Sequence, residues 1–302
     1  MKKIAVLIPC YNEDVTIADV VTSFKRELPC STIYVYDNCS EDKTAEVAKE
    51  SGAVVVSARI RGKGNVVRRM FSDIDADIYI MVDGDSTYAP EDSKKMIKVL
   101  LDENVDMVVA VRREQNLSVY REGHRFGNKI FNFILKVLFD SSFRDIFSGY
   151  RVFSRRFVKT FPITSGGFDI EAELSVHALT LSIPFAELDS KYSARPANSY
   201  SKLSTFKDGF SILFRIFGLL KETRPLLFFS VLSMILFIVS IVISYPIVMT
   251  FWDTGLVPRF PTAVLATGIM IISFLSLTCG IIMNSISLAR TEMKKLHYLH
   301  FK

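Results

Sequence analysis

The chain has 302 residues, 49% of them hydrophobic, and a formal net charge of +5. This length allows one large domain or two small ones. The mild positive charge argues against a dedicated nucleic-acid binder and suits a protein resting on an anionic membrane surface. Up to about Lys221 charged and apolar residues mix as in a soluble domain; after Arg224 the composition turns apolar. Cys10, Cys30, Cys39 and Cys279 show neither metal-ligand spacing nor a secreted disulfide pattern, and they read as buried, reduced thiols. Met1-Lys2-Lys3 leads straight into a strand-like run, without the apolar length or cleavage site of a signal peptide.

In chain order, apolar runs alternate with helical patterns. Residues 4–8 read as a strand, and Asp14 then caps a helix carrying Ile17, Val20, Val21, Phe24 and Leu28. Strands follow over 33–36, 53–56, 78–82 and 107–111, with helices over 42–50, 64–72 and 90–101 between them. Ser40 or Asp42 is the expected cap of the second helix. Later, Gly167-Phe168-Asp169-Ile170-Glu171 leads into a helix with Leu174, Val176 and Leu179. Repeated strand–helix alternation with nearly continuous apolar strands implies an α/β domain with a mostly parallel sheet and helices on both faces.

Two amphipathic segments, 126–139 and 203–222, place phenylalanine, isoleucine and leucine on one face and charged or polar residues on the other, as interfacial helices do. Residues 225–251 and 261–289 are charge-free and apolar, each longer than the roughly 20 residues that cross a bilayer. The link between them holds Asp253 and Arg259. Lys221 and Arg224 precede the first span, and Arg290, Lys294 and Lys295 follow the second. The positive-inside rule therefore puts both ends of this hairpin, and both termini, in the cytoplasm. The expected organisation is a catalytic domain over 1–202, the juxtamembrane helix 203–222, the hairpin within 225–289 and a basic tail over 290–302.

Ligands of parallel sheets bind at the carboxyl ends of strands, and three polar clusters fall there. Pro9-Cys10-Tyr11-Asn12-Glu13 ends the first strand, residues 37–44 end the second, and Asp83-Gly84-Asp85 ends the fourth. Two carboxylates around a glycine concentrate negative charge that Mg2+ or Mn2+ would neutralise while bridging to diphosphate oxygens. Gly84 is expected to let the backbone bend between them. Asp37 can accept a hydrogen bond from a nucleobase. Arg61-Gly62-Lys63-Gly64-Asn65 lacks the spacing of a P-loop, and Lys63 is a candidate for a diphosphate. Arg112, Arg113, Arg121, Arg125, Arg195 and Lys202 are candidates for a phosphate, which suits arginine's planar fork.

These strand-end motifs, in this order, resemble glycosyltransferase family 2, which has the GT-A fold. The likeness covers residues 4–192. The two apolar spans narrow it to the polyprenyl-phosphate glycosyltransferases, the group that includes dolichyl-phosphate mannose synthase. The resemblance implies that Pro9, Tyr11, Asn12 and Glu13 line a nucleotide pocket, that Asp37 contacts the base and that Lys63 lies near the diphosphate. It implies that Asp83, Gly84 and Asp85 hold the diphosphate and metal, with Asp85 catalytic. Residues 145–151 resemble the family's Asp-x-x-(Ser/Thr)-Gly-(Phe/Tyr)-Arg segment, which places Asp145 near the donor sugar and has Arg151 brace the site through a salt bridge. Arg112, Arg125, Arg195 and Lys202 match positions that hold the acceptor phosphate. The chain departs from many relatives after the acidic pair, where Ser86-Thr87-Tyr88 replaces a Leu-Gln tail.

The implied reaction is inverting transfer of a sugar from a nucleotide-diphosphate sugar to undecaprenyl or dolichyl phosphate at the cytoplasmic membrane face, with Mg2+ or Mn2+. A family 2 transferase acting at a glycan or glycolipid hydroxyl is the alternative; it needs a base, for which Asp169 and Glu171 are the candidates. A nucleotide-binding scaffold without catalysis is a third reading. The sequence leaves the base, the sugar and self-association of the spans open.

Overall fold

The computed structural model describes residues 2–114, 143–162, 170–196, 218 and 220–301. The expected interfacial helix 126–139 and residues 203–217 lie outside them. The chain divides into two compact units, Met1–Gly209 with Lys294–Lys302, and Phe210–Met293.

In the first unit, β1 (Ile4–Cys10), α1 (Ile17–Glu27), β2 (Thr32–Asp37), α2 (Thr44–Glu50), β3 (Val54–Ser57), α3 (Lys63–Asp73), β4 (Ile78–Met81), α4 (Asp92–Asp102) and β5 (Met107–Glu114) follow the alternation read from sequence. β6 (Arg151–Ser154), α5 (Arg155–Thr160), α6 (Ile170–Leu181) and β7 (Phe185–Tyr192) complete it. The seven strands lie in the order β3-β2-β1-β4-β6-β5-β7. β6 is antiparallel to both of its neighbours, and every other pairing is parallel. β1 and β4 are largely buried, mostly apolar runs because both faces are covered, and Val6, Ile8, Phe24, Ile80 and Val152 share one core. The chain leaves β1 toward β2 and β3 on one side and returns to β4 on the other. This reversal opens a crevice at the carboxyl ends of β1 and β4.

Several local expectations are corrected. α1 starts at Ile17, after Thr16, and Asp14 does not cap it. The Thr16 hydroxyl instead donates to the Gly84 carbonyl at 2.7 Å, tying the helix start to the acidic segment. Asp42 accepts from the Thr44 amide at 3.0 Å and supports α2, whereas Ser40 accepts from the Asn12 amide at 2.9 Å. Cys30 and Cys279 are exposed; Cys10 alone among the cysteines is buried.

The second unit contains α7 (Pro225–Thr254) and most of α8 (Phe260–His300), each long and apolar enough to cross a membrane. Small residues line their contact at seven-residue intervals, Ser233 and Ser240 on one helix and Ala266, Ser273 and Gly280 on the other. Ser273 donates to the Ser233 carbonyl at 2.8 Å, and Ser240 to the Ala266 carbonyl at 2.8 Å. Gly280 leaves no room for a methyl, which would lie 2.8 Å from Phe229 Cβ. Close approach over small residues with hydroxyl bonds across is how apolar helices associate where hydrophobic burial gives little drive.

Residues 290–302, read as a basic tail, instead continue α8 to His300, and Lys294 onward belongs to the first unit. There the Tyr298 hydroxyl and the Arg156 guanidinium both donate to Asp106, and Arg156 stacks 4.3 Å over the Tyr298 ring. On the neighbouring α6, His177 is buried edge-on against Phe157 and Phe161. Burial, then the nearby Lys294 ammonium, lowers its pKa from 6.5 to about 4. The unfolded chain therefore binds a proton that the folded chain refuses between those values. Stability should be full above pH 6.5 and fall by roughly 2–3 kcal/mol as the pH drops toward 4. His177→Leu should flatten that decline in unfolding midpoints measured between pH 7.5 and 4.5.

Candidate active site

The site is built on the ends of β1, β2 and β4. At the end of β2, Asp37 is buried and its Oδ2 accepts from the Ser40 amide at 3.3 Å. Its Oδ1 has no hydrogen-bond partner among the described residues, a costly condition that a donor from a bound base would relieve. Asn12 reaches across from the β1 end, its amide donating to Ser40 and its Oδ1 accepting from the Glu41 amide at 2.8 Å. Thr44 Oγ1 accepts from the Glu13 amide at 2.8 Å. The Tyr11 ring lies 5.7 Å from the Arg61 guanidinium, and Pro9 pairs in register with Tyr36. The two strand-end loops thus form one hydrogen-bonded rim.

Asn38 fixes the next wall. Its Nδ2 donates to the Ala58 and Ile60 carbonyls at 3.1 and 2.8 Å, and its Oδ1 accepts from the Gly62 amide at 2.7 Å. Gly62 caps α3 at φ +116°, a left-handed conformation that favours glycine. This turn delivers Lys63 into the crevice, where its ammonium bonds Asp83 at 2.5 Å and also Glu171. Burial alone would push the lysine pKa down; Asp83 and Glu171 outweigh it and hold the pKa above its ordinary value.

Asp85 is more deeply buried than Asp83. Its Oδ1 accepts from the Thr87 hydroxyl at 2.6 Å and its Oδ2 pairs with Arg195 at 2.7 Å. Burial first, then the neighbouring Asp83 charge, raises its pKa, with Arg195 opposing. Thr87, in the segment that departs from many relatives, is committed to holding Asp85. Its carbonyl accepts from the Ser193 amide at 2.9 Å, and a bridge joins Tyr88 to Tyr192, so the chain after β7 brings Arg195 to the acidic pair. Gly84 is explained by room: a Cβ there would lie 2.7 Å from Cys10 Sγ.

Asp145 and Arg112, assigned separately to donor sugar and acceptor, form a bidentate pair at 2.7 and 2.8 Å, and Arg112 lies 5.5 Å from the Tyr192 ring. Arg151 is completely buried, which lowers its pKa to about 10 against the pull of Glu171 and Asp145. The expected salt bridge is absent among the described residues; Arg151 instead donates to the Ser148 carbonyl at 2.9 Å, the Ile146 carbonyl and Ser175 Oγ at 3.0 Å. It pins the segment that holds Asp145 and Gly149. Arg121, Arg125, Asp169 and Lys202 lie outside the described residues.

Sequence reasoning missed Asn38, Gly149 and Tyr88. Asn38 could have been found from its place beside Asp37. Tyr88 accepts from the Gly149 amide at 2.9 Å.

A carboxylate pair at the reversal of a mostly parallel α/β sheet defines a GT-A-like fold. The comparisons agree. Residues 5–161 match Glycosyl transferase family 2. Glycosyltransferase AglJ of Haloferax volcanii is 35% identical over 229 residues, covering 75% of each chain. Protein RfbJ of Shigella flexneri is 55% identical over 123 residues, 40% of this chain and 95% of that protein. The dolichyl-phosphate hexose transferase of Haloferax volcanii is 25% identical over 209 residues, 69% of this chain and 90% of that protein. The solved structure of glucosyl-3-phosphoglycerate synthase from Mycobacterium tuberculosis, in complex with Mn2+ and uridine-diphosphate-glucose, shares the fold with a TM-score of 0.60 at 22% identity, over 73% of this chain and 78% of that one. The chain belongs to glycosyl transferase family 2 and is a glycosyltransferase.

A Cβ on Gly149 would stand 2.4 Å from Asp83 Oδ2. Gly149→Ala should therefore displace the Asp83 carboxylate and lower sugar transfer by about 10–100-fold, in line with the effect of small misplacements in active sites. The unfolding midpoint, measured beside the transfer rate, should stay close to wild type.

Proposed function

We propose that this glycosyltransferase moves a sugar from a nucleoside diphosphate to a polyprenyl phosphate at the cytoplasmic membrane face, with both termini in the cytoplasm. The observation that carries the reading is Arg195 at 2.7 Å from Asp85, a guanidinium of the kind that suits phosphate, beside the acidic pair. Two apolar helices that can cross a membrane, and a relative named for dolichyl phosphate, support a lipid acceptor.

Asp83 and Asp85 offer hard oxygen donors, and the repulsion between them is what a divalent cation would relieve. Among the described residues no group of three or more His, Cys, Asp and Glu side chains could hold a metal. Mg2+ or Mn2+ would therefore be shared between this pair and the substrate phosphates, as Mg2+ sites commonly are. When bound, the ion would neutralise charge on the departing diphosphate.

In this mechanism the Asp37 Oδ1 accepts the ring N–H of uracil or guanine, and Lys63 donates to the diphosphate. Arg195 leaves Asp85 for the acceptor phosphate, joined by Arg112, Arg125 and Lys202, and Asp145 keeps Arg112 oriented. An acceptor oxygen attacks the anomeric carbon as the bond to the diphosphate oxygen breaks, with inversion. A phosphate is already ionised near neutral pH and needs no base. A hydroxyl acceptor would need one, and the Glu171 carboxylate is engaged with Lys63.

The test is release of nucleoside diphosphate by detergent-purified protein given Mg2+ or Mn2+, UDP- and GDP-sugars, and undecaprenyl or dolichyl phosphate. Release should require both metal and prenyl phosphate. Release only with a glycolipid acceptor would transfer the proposal to the hydroxyl reading. Asp85→Asn, which keeps an acceptor for Thr87, should reduce turnover by roughly 10²–10³-fold, the scale of losing one group that stabilises developing charge. It should leave the protein folded.

A further inference from the structure

Glu171 is a carboxylate at the start of α6, buried to 5% exposure, and its side chain accepts from the Lys63 ammonium. The Lys63 side chain is itself only 15% exposed and is shared between Glu171 and Asp83. In the proposed reaction Asp83 turns its carboxylate to a cation and the diphosphate, which removes one of the lysine's two counter-ions. A buried ammonium left without a carboxylate is strongly disfavoured. α6 is held in place by more than this contact. The Ser175 hydroxyl, one turn on, donates to the Glu171 carbonyl at 3.0 Å and accepts from Arg151, which in turn fixes the segment carrying Asp145 and Gly149.

We infer that Glu171 is a positioning residue: it stays with Lys63 when Asp83 is taken up by the substrate, and so holds the lysine charged and aimed at the donor diphosphate. This rests on the reading of Asp83 and Lys63 given above. Glu171 then acts through nucleotide binding. It takes no proton from an acceptor, which is the role a helix-start acid would have if the acceptor were a hydroxyl. The two roles separate experimentally because a base acts in the chemical step and leaves binding of the product nucleotide unchanged.

The experiment is calorimetric titration of the detergent-purified full chain with UDP and, in parallel, GDP, each with Mn2+, alongside turnover. Glu171→Gln should weaken binding of the nucleotide that wild type prefers by about tenfold or more, the scale of losing a bond to a charged group. Lys63→Met should weaken it at least as much. The double variant Lys63→Met/Glu171→Gln should bind no more weakly than Lys63→Met alone, since Glu171 has no effect without the lysine. This double variant removes the buried lysine together with its buried partner Glu171 and keeps the comparison available if Glu171→Gln alone fails to fold. Nucleotide affinity within twofold of wild type in Glu171→Gln, with turnover lost, makes Glu171 a base and overturns the inference while leaving the transferase reading standing. Additive losses in the double variant overturn it as well. Failure of wild type to bind either nucleotide overturns both the inference and the reading beneath it.

Discussion

Lys63 between Asp83 and Glu171 is the contact on which the site depends. It joins the start of α3, the end of β4 and the start of α6, the last of these 108 positions from the lysine. A charge this deeply placed must be compensated, and the compensation is geometric as well as electrostatic. Asn38 holds the turn that presents the lysine, Gly149 abuts the carboxylate that receives it, and Arg151 braces the segment that holds Gly149. The acids of the crevice are thereby prevented from repelling one another apart before any substrate arrives.

The same logic repeats around the pair. Asp85 has Arg195 and Asp145 has Arg112. Each cation is of a kind that binds phosphate well, and each is stored against a carboxylate. Storage of this sort keeps long basic side chains ordered, so that less conformational freedom would be lost if, as proposed, a phosphate took the carboxylate's place. Arginine is the better choice at 112, where a bidentate fork fits one carboxylate and would fit one phosphate equally.

Strands β1, β2, β4 and β5 were legible because parallel strands covered on both faces are continuous apolar runs, and the edge strand β3 because it is a run of three valines. β6 and β7 were not. β6 is four residues long and opens with Arg151, whose burial depends on carbonyls presented by the fold. β7 reads FAELDSKY, an edge strand whose acidic residues pair with Arg113 and Arg144, so its polarity hides its place in the sheet. Asp83 and Asp85 could be picked out because their meaning is local. The pairing of Lys63 with Glu171 spans 108 positions, and no spacing rule reaches that far. In the hairpin, the small residues at intervals of seven were readable in principle, yet the signal is a seam shared by two helices and neither helix shows it alone.

The end of α8 adds a constraint of a different kind. Asp106 precedes β5 and accepts from Tyr298, Arg156 and Ser154. Its main chain is equally committed, the amide donating to the Pro184 carbonyl before β7 and the carbonyl accepting from the Ser154 amide at the end of β6. One aspartate therefore joins the amino ends of β5 and β7, the carboxyl end of β6 and the last turns of the chain. These contacts lie at the edge of the sheet away from the carboxyl ends of β1 and β4. The stability they provide can be supplied without touching the crevice, where the proposed reaction has carboxylates and cations exchange partners.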